Sequence, residues 1–326
     1  MRLNFIPGVI QSPGDPRDYI YRSIVKAEEL PVKYSLRTIY QPVRDQGTYG
    51  SCVGFACAGI KDSHETRNYS QTMVTSPLYV YTQCKQMDGI PYIEGTYPRV
   101  AMKVLQKSGI CLENTFPYSR MCWPKMPEIP DDANIEAHEF KIGAYARIQS
   151  IDEVKQAIVR DGPVLGAVVV YENFLSPDKG AFIEMPKGRA LGGHAVCVMG
   201  YNDELKHKGH TGYFEVRNSW GESWGDKGYC WIPYDFFKYR SVLTTAWLES
   251  WSSVDIIIPP KAAREIIMWL DKDIAIVDGK EVKLGLVPAI DAKNDKTLVR
   301  LKFLSQKMGY IFKWSLRQNK IRIWKP

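Results

Sequence analysis

The 326-residue sequence predicts an α+β fold: a helical half, then a sheet-rich half, then a small separate C-terminal module. Small-residue and amphipathic runs typical of helices occupy residues 52–162. Short β-branched and aromatic runs typical of strands follow, up to about Leu248. The pair Pro259-Pro260 then marks a linker to a last segment with its own pattern.

Three helices are predicted in the first half. Residues 52–60 are apolar on nearly every side, which favours a buried helix with residues 61–65 as its exposed end. Residues 97–109 are amphipathic and end at a glycine, and Ser150-Ile151-Asp152-Glu153 is a capping box opening a helix that Gly162-Pro163 closes. Strands are predicted at residues 164–170, 195–201 and 213–217.

The residue pattern of the last segment predicts a small ββαββ module. Asp278-Gly279 between alternating runs indicates a tight hairpin. Leucines and a methionine between residues 298 and 308 predict a short helix, and residues 311–314 and 321–324 a second strand pair. The expected organisation is an N-terminal extension (1–30), a main domain (31–252) and the module (260–326).

The charge of +7 is concentrated in that module. Residues 261–326 carry 15 Lys and Arg against 7 Asp and Glu, whereas the first 260 residues carry 28 against 29. The simpler interpretation is a solvated basic face, and the alternative is contact with an anionic polymer such as nucleic acid or a cell-wall polyanion.

Composition excludes two classes of protein. A hydrophobic content of 45% and an aromatic content of 12% fit a folded chain and exclude a disordered one. No run approaches the roughly 18 apolar residues of a membrane span, and the first residues lack the apolar core of a secretory signal. We therefore expect a chain that is cytoplasmic, or released by a route without such a signal.

Cys52 is the candidate nucleophile. A thiol attacks well only as the thiolate, which a helix N-terminus and a neighbouring imidazolium both favour. Cys52 stands where the buried helix begins. The other six cysteines are interpreted as small buried side chains, and an odd total of seven leaves at least one thiol unpaired.

His194 is the candidate base. It lies in Gly193-His194-Ala195 at the mouth of an apolar strand, although a neutral core histidine is the alternative for such a residue taken alone. The remaining histidines fit solvated or strand-edge positions: His64, His138, His207 and His210.

Asn218 and Gln46 complete the candidate catalytic set. An amide oxygen on Asn218 would fix the tautomer of the histidine, and Trp220 would shield that hydrogen bond from water. The side-chain NH₂ of Gln46 and the N–H of Cys52 would donate to an oxyanion.

The residues around these positions resemble the signature blocks of the papain-like cysteine peptidases. The blocks are residues 46–56 (QGTYGSCVGFA), 193–196 (GHAV) and 218–225 (NSWGESWG), in the family's order. The histidine lies 142 residues and the asparagine 166 residues after Cys52, the latter beyond the ~130–150 typical of the family. A charged hairpin inserted at residues 203–212 explains the excess.

The resemblance implies a two-part papain-like fold and hydrolysis of peptide bonds in a protein or peptide substrate, without a cofactor or metal. A fourth block at residues 95–98 resembles the family's cleft wall. The backbone of Gly95 and Thr96 would pair with an extended peptide, and Tyr97 and Pro98 would line a side-chain pocket. Gly193 and Trp220 complete the implied substrate-binding residues.

The sequence departs from the family where Tyr49 and Val53 replace a common Cys and Trp. A disulfide between Cys84 and Cys122 is possible by the same resemblance. No long inhibitory propeptide fits before Gln46, so the enzyme is either made active or inhibited in part by residues 1–30.

The module resembles the domain named after the N-terminus of copper amine oxidases, through Asp278-Gly279-Lys280, residues 297–303 and Met308-Gly309. Copper is not expected, because no His follows His210 and no Cys follows Cys230. Two alternatives to a general peptidase stay open: a cell-wall peptide hydrolase anchored by the basic module, and a peptide-binding pseudopeptidase.

Overall fold

A computed structural model describes residues 6–23, 29–39, 42–69, 73–240 and 245–255, together with five strands between residues 265 and 324. The chain divides into two compact units, Met1–Ile256 and Ile257–Pro326. The predicted boundaries at residues 30, 252 and 260 stay predictions.

The first unit contains six α-helices among the described residues. They are α1 (Cys52–Tyr69), α2 (Pro77–Met87), α3 (Pro98–Lys107), α4 (Asp131–Ala137), α5 (Ile151–Arg160) and α6 (Tyr234–Lys238). Short 3₁₀ turns occupy Tyr21–Ser23, Arg37–Ile39, Tyr118–Arg120, His138–Phe140 and Glu172–Leu175. The expected helices α1, α3 and α5 are confirmed, whereas no element was predicted at α2.

Local chemistry explains where these helices begin. The Ser150 hydroxyl accepts a hydrogen bond from the N–H of Glu153, as the capping box predicts. At α2 the Ser76 hydroxyl accepts from the N–H of Tyr79, and Pro77 occupies the first turn, where no N–H is needed.

The expected exposed end of α1 is wrong. The helix continues to Tyr69, and its residues 61–65 are buried. The Lys61 ammonium is paired there with the carboxylates of Glu65 and Asp255, so its charge is compensated in the interior. Glu65 lies one helical turn from Lys61, but Asp255 comes from a distant strand that local sequence cannot reveal.

Seven antiparallel strands form the sheet of the first unit. They are β1 (Lys33–Ser35), β2 (Ile142–Ile148), β3 (Val164–Tyr171), β4 (Ala190–His207), β5 (His210–Arg217), β6 (Tyr229–Pro233) and β7 (Trp247–Asp255). The order is β2-β7-β3-β4-β5-β6, and β1 pairs with β4. The ends of β4 and β5 pair through His207 and His210, which confirms the charged hairpin.

Helix α1 packs on β3 and β4, and one apolar cluster joins it to the sheet. Cys52 and Ala195 both belong to that cluster. The start of α1 is therefore buried against β4, the strand that carries His194.

Within the described residues of the second unit, five strands form an antiparallel sheet. They are β8 (Glu265–Trp269), β9 (Ile274–Val277), β10 (Lys280–Lys283), β11 (Ile311–Ser315) and β12 (Lys320–Trp324), in the order β10-β9-β8-β12-β11. Pairing of Val277 with Lys280 confirms the predicted hairpin, and the pairing of β11 with β12 confirms the second strand pair. Strand β8 is additional, and the predicted helix at residues 298–308 lies outside the described residues.

Candidate active site

Cys52 is the first residue of α1, and its side chain is fully buried. Its sulfur accepts a hydrogen bond of 3.4 Å from the N–H of Ala195. The sulfur therefore lies against the residue that directly follows His194. The positive end of the α1 dipole is at the same point.

His194 lies on β4 opposite Val168 of β3, and it is also fully buried. Its Nε2 is 2.7 Å from Oδ1 of Asn218, which directly follows β5. The same oxygen accepts the N–H of Ser219 at 2.8 Å, so the amide orientation is fixed from two sides. An oxygen at that position makes Nε2 the protonated nitrogen of a neutral ring.

Trp220 covers this hydrogen bond. Its ring centroid lies 4.7 Å from that of His194, at an interplanar angle of 33°. The aromatic rings of Phe174 and Trp224 pack on Trp220 in turn. The arrangement excludes water from the His194–Asn218 pair.

Gln46 is buried, and hydrogen bonds at both ends fix its side chain. Its Oε1 accepts the hydroxyl of Ser219 at 2.6 Å, and its Nε2 donates to the carbonyl of Tyr49 at 2.7 Å. The NH₂ group therefore points away from Ser219, and it lies 3.5 Å from the carbonyl oxygen of Ile6.

Thr96 presents its backbone to an extended segment. Its N–H donates to the carbonyl of Gly8 at 2.9 Å, and its carbonyl accepts the N–H of Ile10 at 3.0 Å. Gly95 uses its backbone elsewhere, because its N–H donates to the hydroxyl of Tyr81 and its carbonyl accepts the ammonium of Lys85. Tyr97 and Pro98 cap and begin α3 directly after this edge.

The extended segment comes from the chain itself. Residues 6–12, which the sequence places in an irregular lead-in, run between Thr96 and Gly193. The N–H of Val9 donates to the carbonyl of Gly193 at 2.9 Å. Gly8 approaches the backbone of Gly50, two residues before Cys52. Residues 6–12 are called the cleft segment below.

The cleft segment lies very close to neighbouring backbone at two glycines. A Cβ on Gly8 would clash with the backbone carbonyl of Gly50, and a Cβ on Gly193 would clash with the carbonyl of Val9. Side chains at these two positions would push the cleft segment away from the sulfur.

Two acidic residues hold the chain at the end of the cleft segment and just after it. The carboxylate of Asp18 lies 2.8 Å from the guanidinium of Arg99 and 3.8 Å from that of Arg147. Nearer the cleft, the buried carboxylate of Glu249 accepts the N–H of Ser12 at 2.7 Å. Residues 12–18 therefore bind to α3, β2 and β7, the elements that carry these side chains.

Burial sets the protonation of the candidate pair. It raises the pKa of Cys52 to about 11, against the hydrogen bond from the N–H of Ala195. It lowers the pKa of His194 to about 4, against the hydrogen bond to Asn218. At neutral pH this closed arrangement therefore holds a thiol and a neutral imidazole.

The other histidines lie away from this site, and two expectations for them are corrected. His64 is buried, not solvated, and burial lowers its pKa to about 4. His138 begins a 3₁₀ turn and does not lie at a strand edge. His207 and His210 lie at the hairpin and face Asp178 and Asp235.

The possible disulfide between Cys84 and Cys122 is not formed. All seven cysteines are free thiols. Cys84 is buried within α2 whereas Cys122 is exposed, so the two sulfurs do not share an environment. The expectation that the six other cysteines are small buried side chains is therefore wrong for Cys122 and confirmed for the remaining five. Among the described residues, no group of three or more His, Cys, Asp or Glu side chains could hold a metal ion. None of the described helices is long and apolar enough to cross a membrane.

Two family models match the chain. Residues 30–241 match the papain family cysteine proteases, and residues 226–323 match the copper amine oxidase N-terminal domain.

Curated relatives and a solved structure agree with the first match. An uncharacterized peptidase C1-like protein of Acanthamoeba polyphaga mimivirus is 32% identical, over 63% of this chain and 68% of its own length. A cathepsin B-like cysteine proteinase of Caenorhabditis elegans is 27% identical, over 70% and 76% respectively. The crystal structure of xylellain, a cysteine protease from Xylella fastidiosa, aligns with a TM-score of 0.67 at 28% identity, over 78% of this chain and 98% of that one.

Proposed function

The chain belongs to the papain family of cysteine proteases and is a thiol peptidase that acts on proteins, and on that premise we propose how four of its residues divide the reaction. Cys52 is the nucleophile, His194 the base and acid, Asn218 the residue that orients His194, and Gln46 an oxyanion donor. The observations that support this proposal are the hydrogen bond to the Cys52 sulfur from the N–H of Ala195, the residue after His194, and the hydrogen bond between His194 and Asn218.

The first step forms a thioester. The sulfur of Cys52 attacks the carbonyl carbon of the peptide bond, and its proton passes to His194. Because Asn218 holds Nε2–H of the ring, Nδ1 is the nitrogen that takes the proton. The N–H of Cys52 and the NH₂ of Gln46 donate to the oxyanion, and His194 then protonates the leaving amine.

The second step returns the enzyme. His194 takes a proton from water, the hydroxide attacks the thioester carbon, and the Cys52 sulfur leaves with the proton that His194 gives back. The products are a carboxylic acid and the amine released before. No group outside the chain and water is required.

We further propose that the structure is a latent form of this enzyme. The cleft segment fills the groove beside Thr96, where its backbone takes the hydrogen bonds that an extended substrate would need, and the Cys52 side chain is fully buried. The carbonyl of Ile6 lies near the NH₂ of Gln46, at 3.5 Å. Displacement of the cleft segment must precede turnover, and the pKa of Cys52 falls when that cover is lost.

The test is turnover of a casein-like protein by the full chain carrying Gly8→Ala, which displaces the cleft segment, and by the same chain with Cys52→Ala added. The variant is expected to lose essentially all turnover, with an unchanged circular dichroism spectrum, because it lacks the proposed nucleophile. Mass spectrometry after a thiol-directed epoxide should find the label on Cys52 among the seven cysteines. Equal cleavage by Cys52→Ala contradicts the assignment of the nucleophile.

Contact of the C-terminal module with an anionic polymer is a separate proposal, supported only by the 15 basic against 7 acidic residues of positions 261–326. The measurement is retention of the full chain on purified cell-wall polyanion at increasing salt. Flow-through at low salt rejects both the contact and the cell-wall alternative that depends on it.

A further inference from the structure

Lys85 is a lysine whose ammonium group is buried beside the cleft. Its side chain is 4% exposed. Its Nζ donates to the carboxylate of Asp88 at 2.8 Å, and to the backbone carbonyls of Ile90, Ile93 and Gly95 at 3.0, 2.7 and 2.8 Å. Three N–H groups are thus shared among four oxygens, and all four belong to the loop that leads from α2 to the cleft edge.

We infer that Lys85 is a positioning residue for the substrate: it holds the backbone of Gly95 and Thr96 at the place where an extended peptide must pair beside Cys52. The inference rests on the proposed function of Cys52 and adds a residue to it. Lys85 itself touches neither the sulfur nor the cleft segment in any described hydrogen bond, so it acts through the loop.

Two more residues on the same face of α2 act with Lys85. Tyr81 is one turn before it, and its hydroxyl accepts the N–H of Gly95 at 2.9 Å. Asp88 follows the helix, and its carboxylate accepts the hydroxyl of Thr96 at 3.0 Å. Positions 81, 85 and 88 have the i, i+4, i+7 spacing of one helix face, so a single face of α2 fixes Gly95 and the side chain of Thr96.

The backbone of Thr96 is thereby left for a peptide. With Gly95 engaged by α2 at both its N–H and its carbonyl, the N–H and carbonyl of Thr96 are the pair that the cleft segment uses. A substrate needs two such main-chain groups at a fixed distance from the sulfur.

Helix α2 is itself fixed to the helix that carries Cys52. A Cβ on Gly54 of α1 would clash with the carbonyl of Pro77, and it would lie 3.3 Å from Cβ of Tyr81. The backbones of the two helices are therefore in direct contact, at Gly54 of α1 and Pro77 of α2. The connection runs from Cys52 through α1 and α2 to Lys85 and Asp88, and from these by hydrogen bonds to Gly95 and Thr96.

An ammonium suits this loop for an electrostatic reason. Three carbonyl dipoles and one carboxylate converge on the position, and a cation stabilises all four with charge-assisted hydrogen bonds. The Trp123 ring, 5.6 Å from Nζ, covers the ammonium. A neutral side chain would leave buried oxygens without donors, and the loop would open to let water reach them.

The test compares Lys85→Met with Lys103→Met in the full chain. Met keeps an unbranched side chain and removes the ammonium, whereas Lys103 lies exposed on α3 next to the cleft edge. Amide hydrogen exchange in peptides covering residues 88–97 is expected to become about tenfold faster or more in Lys85→Met only, since loss of one such hydrogen bond shifts an opening equilibrium by about that factor.

Turnover gives the second readout. With an extended peptide, and in the Gly8→Ala background that displaces the cleft segment, Lys85→Met is expected to raise KM about tenfold and to change kcat less than about twofold, because the lost contacts orient the substrate and not the reacting atoms. Lys85→Arg retains a cation with several donors and is expected to recover part of the lost KM. A fold defect alone would lower active enzyme and kcat without changing KM.

Unchanged exchange at residues 88–97 and unchanged KM in Lys85→Met overturn the inference. If Lys85→Met does not fold, Asp88→Asn replaces it, since that change keeps an oxygen acceptor and removes the charge opposite the ammonium. The exchange measurement needs no catalysis, so it decides about Lys85 even if Cys52 proves not to be the nucleophile.

Discussion

The backbone of Gly8 packs directly against that of Gly50, two residues before Cys52, so the N-terminal part of the chain lies over the start of the helix that carries the residue we propose as nucleophile. The contact depends on the lack of a side chain at Gly8, where a Cβ would clash with the carbonyl of Gly50. Gly8 therefore allows the cleft segment to cover Cys52, and that cover both raises the pKa of the thiol and keeps substrate from it.

Gly8→Ala is expected to displace the cleft segment and expose Cys52. Alkylation of Cys52 by iodoacetamide at pH 7 should become at least about tenfold faster, because both the cover and its desolvation are lost. Gly14→Ala is the control, since a Cβ at that position meets no atom within 4 Å. The latent-form proposal is wrong if both variants react like the unaltered chain.

Asp18→Asn is expected to weaken the anchor of the N-terminal segment. Asp18 lies between the guanidinium groups of Arg99 and Arg147, and the amide replaces two charge pairs by a neutral contact. Alkylation of Cys52 should accelerate several-fold, and added salt should accelerate it in the unaltered chain but much less in the variant. Glu204→Gln, at an exposed residue of the hairpin, should leave both rates unchanged.

Asn218→Ala is expected to lower kcat about a hundredfold or more, because the imidazole loses the acceptor that sets its tautomer. The measured quantities are kcat and KM for a peptide substrate, each determined in the Gly8→Ala background, with the melting temperature as the check on folding. Asn114→Ala changes an exposed asparagine and serves as the matched control. A loss confined to KM would argue that Asn218 binds substrate and does not orient His194.

The pH dependence of alkylation follows from the raised pKa of Cys52, which burial sets at about 11. A raised pKa favours the thiol, so the reactive thiolate is scarce at neutral pH and increases as pH rises. In the full chain the rate should climb about tenfold per pH unit from pH 7 to pH 10. In Gly8→Ala the rise should begin at lower pH. A flat profile in the full chain would mean that the sulfur is already ionised.

Part of the fold followed from local patterns. The apolar run after Cys52, the capping box at Ser150 and the Asp278-Gly279 hairpin each depend on neighbours within a few residues, so their sequence predicts their structure. Helix α2 was not predicted, because its residues 77–82 include Pro, Tyr, Val and Thr and their buried side chains do not form the single apolar stripe of an amphipathic helix.

The amino-acid sequence by itself determined the family and the identity of the candidate residues, because those positions require particular chemical groups: a thiol, an imidazole and two amides in a fixed order. Only the tertiary structure decided that residues 6–12 cover Cys52 and that Lys85 is buried beneath the cleft edge. Strand pairing uses main-chain N–H and carbonyl groups, which every sequence has, so residues 6–12 carry no pattern of their own. The sequence of α2 is the same whether water or three backbone carbonyls solvate the ammonium of Lys85. Only the fold brings those carbonyls to it.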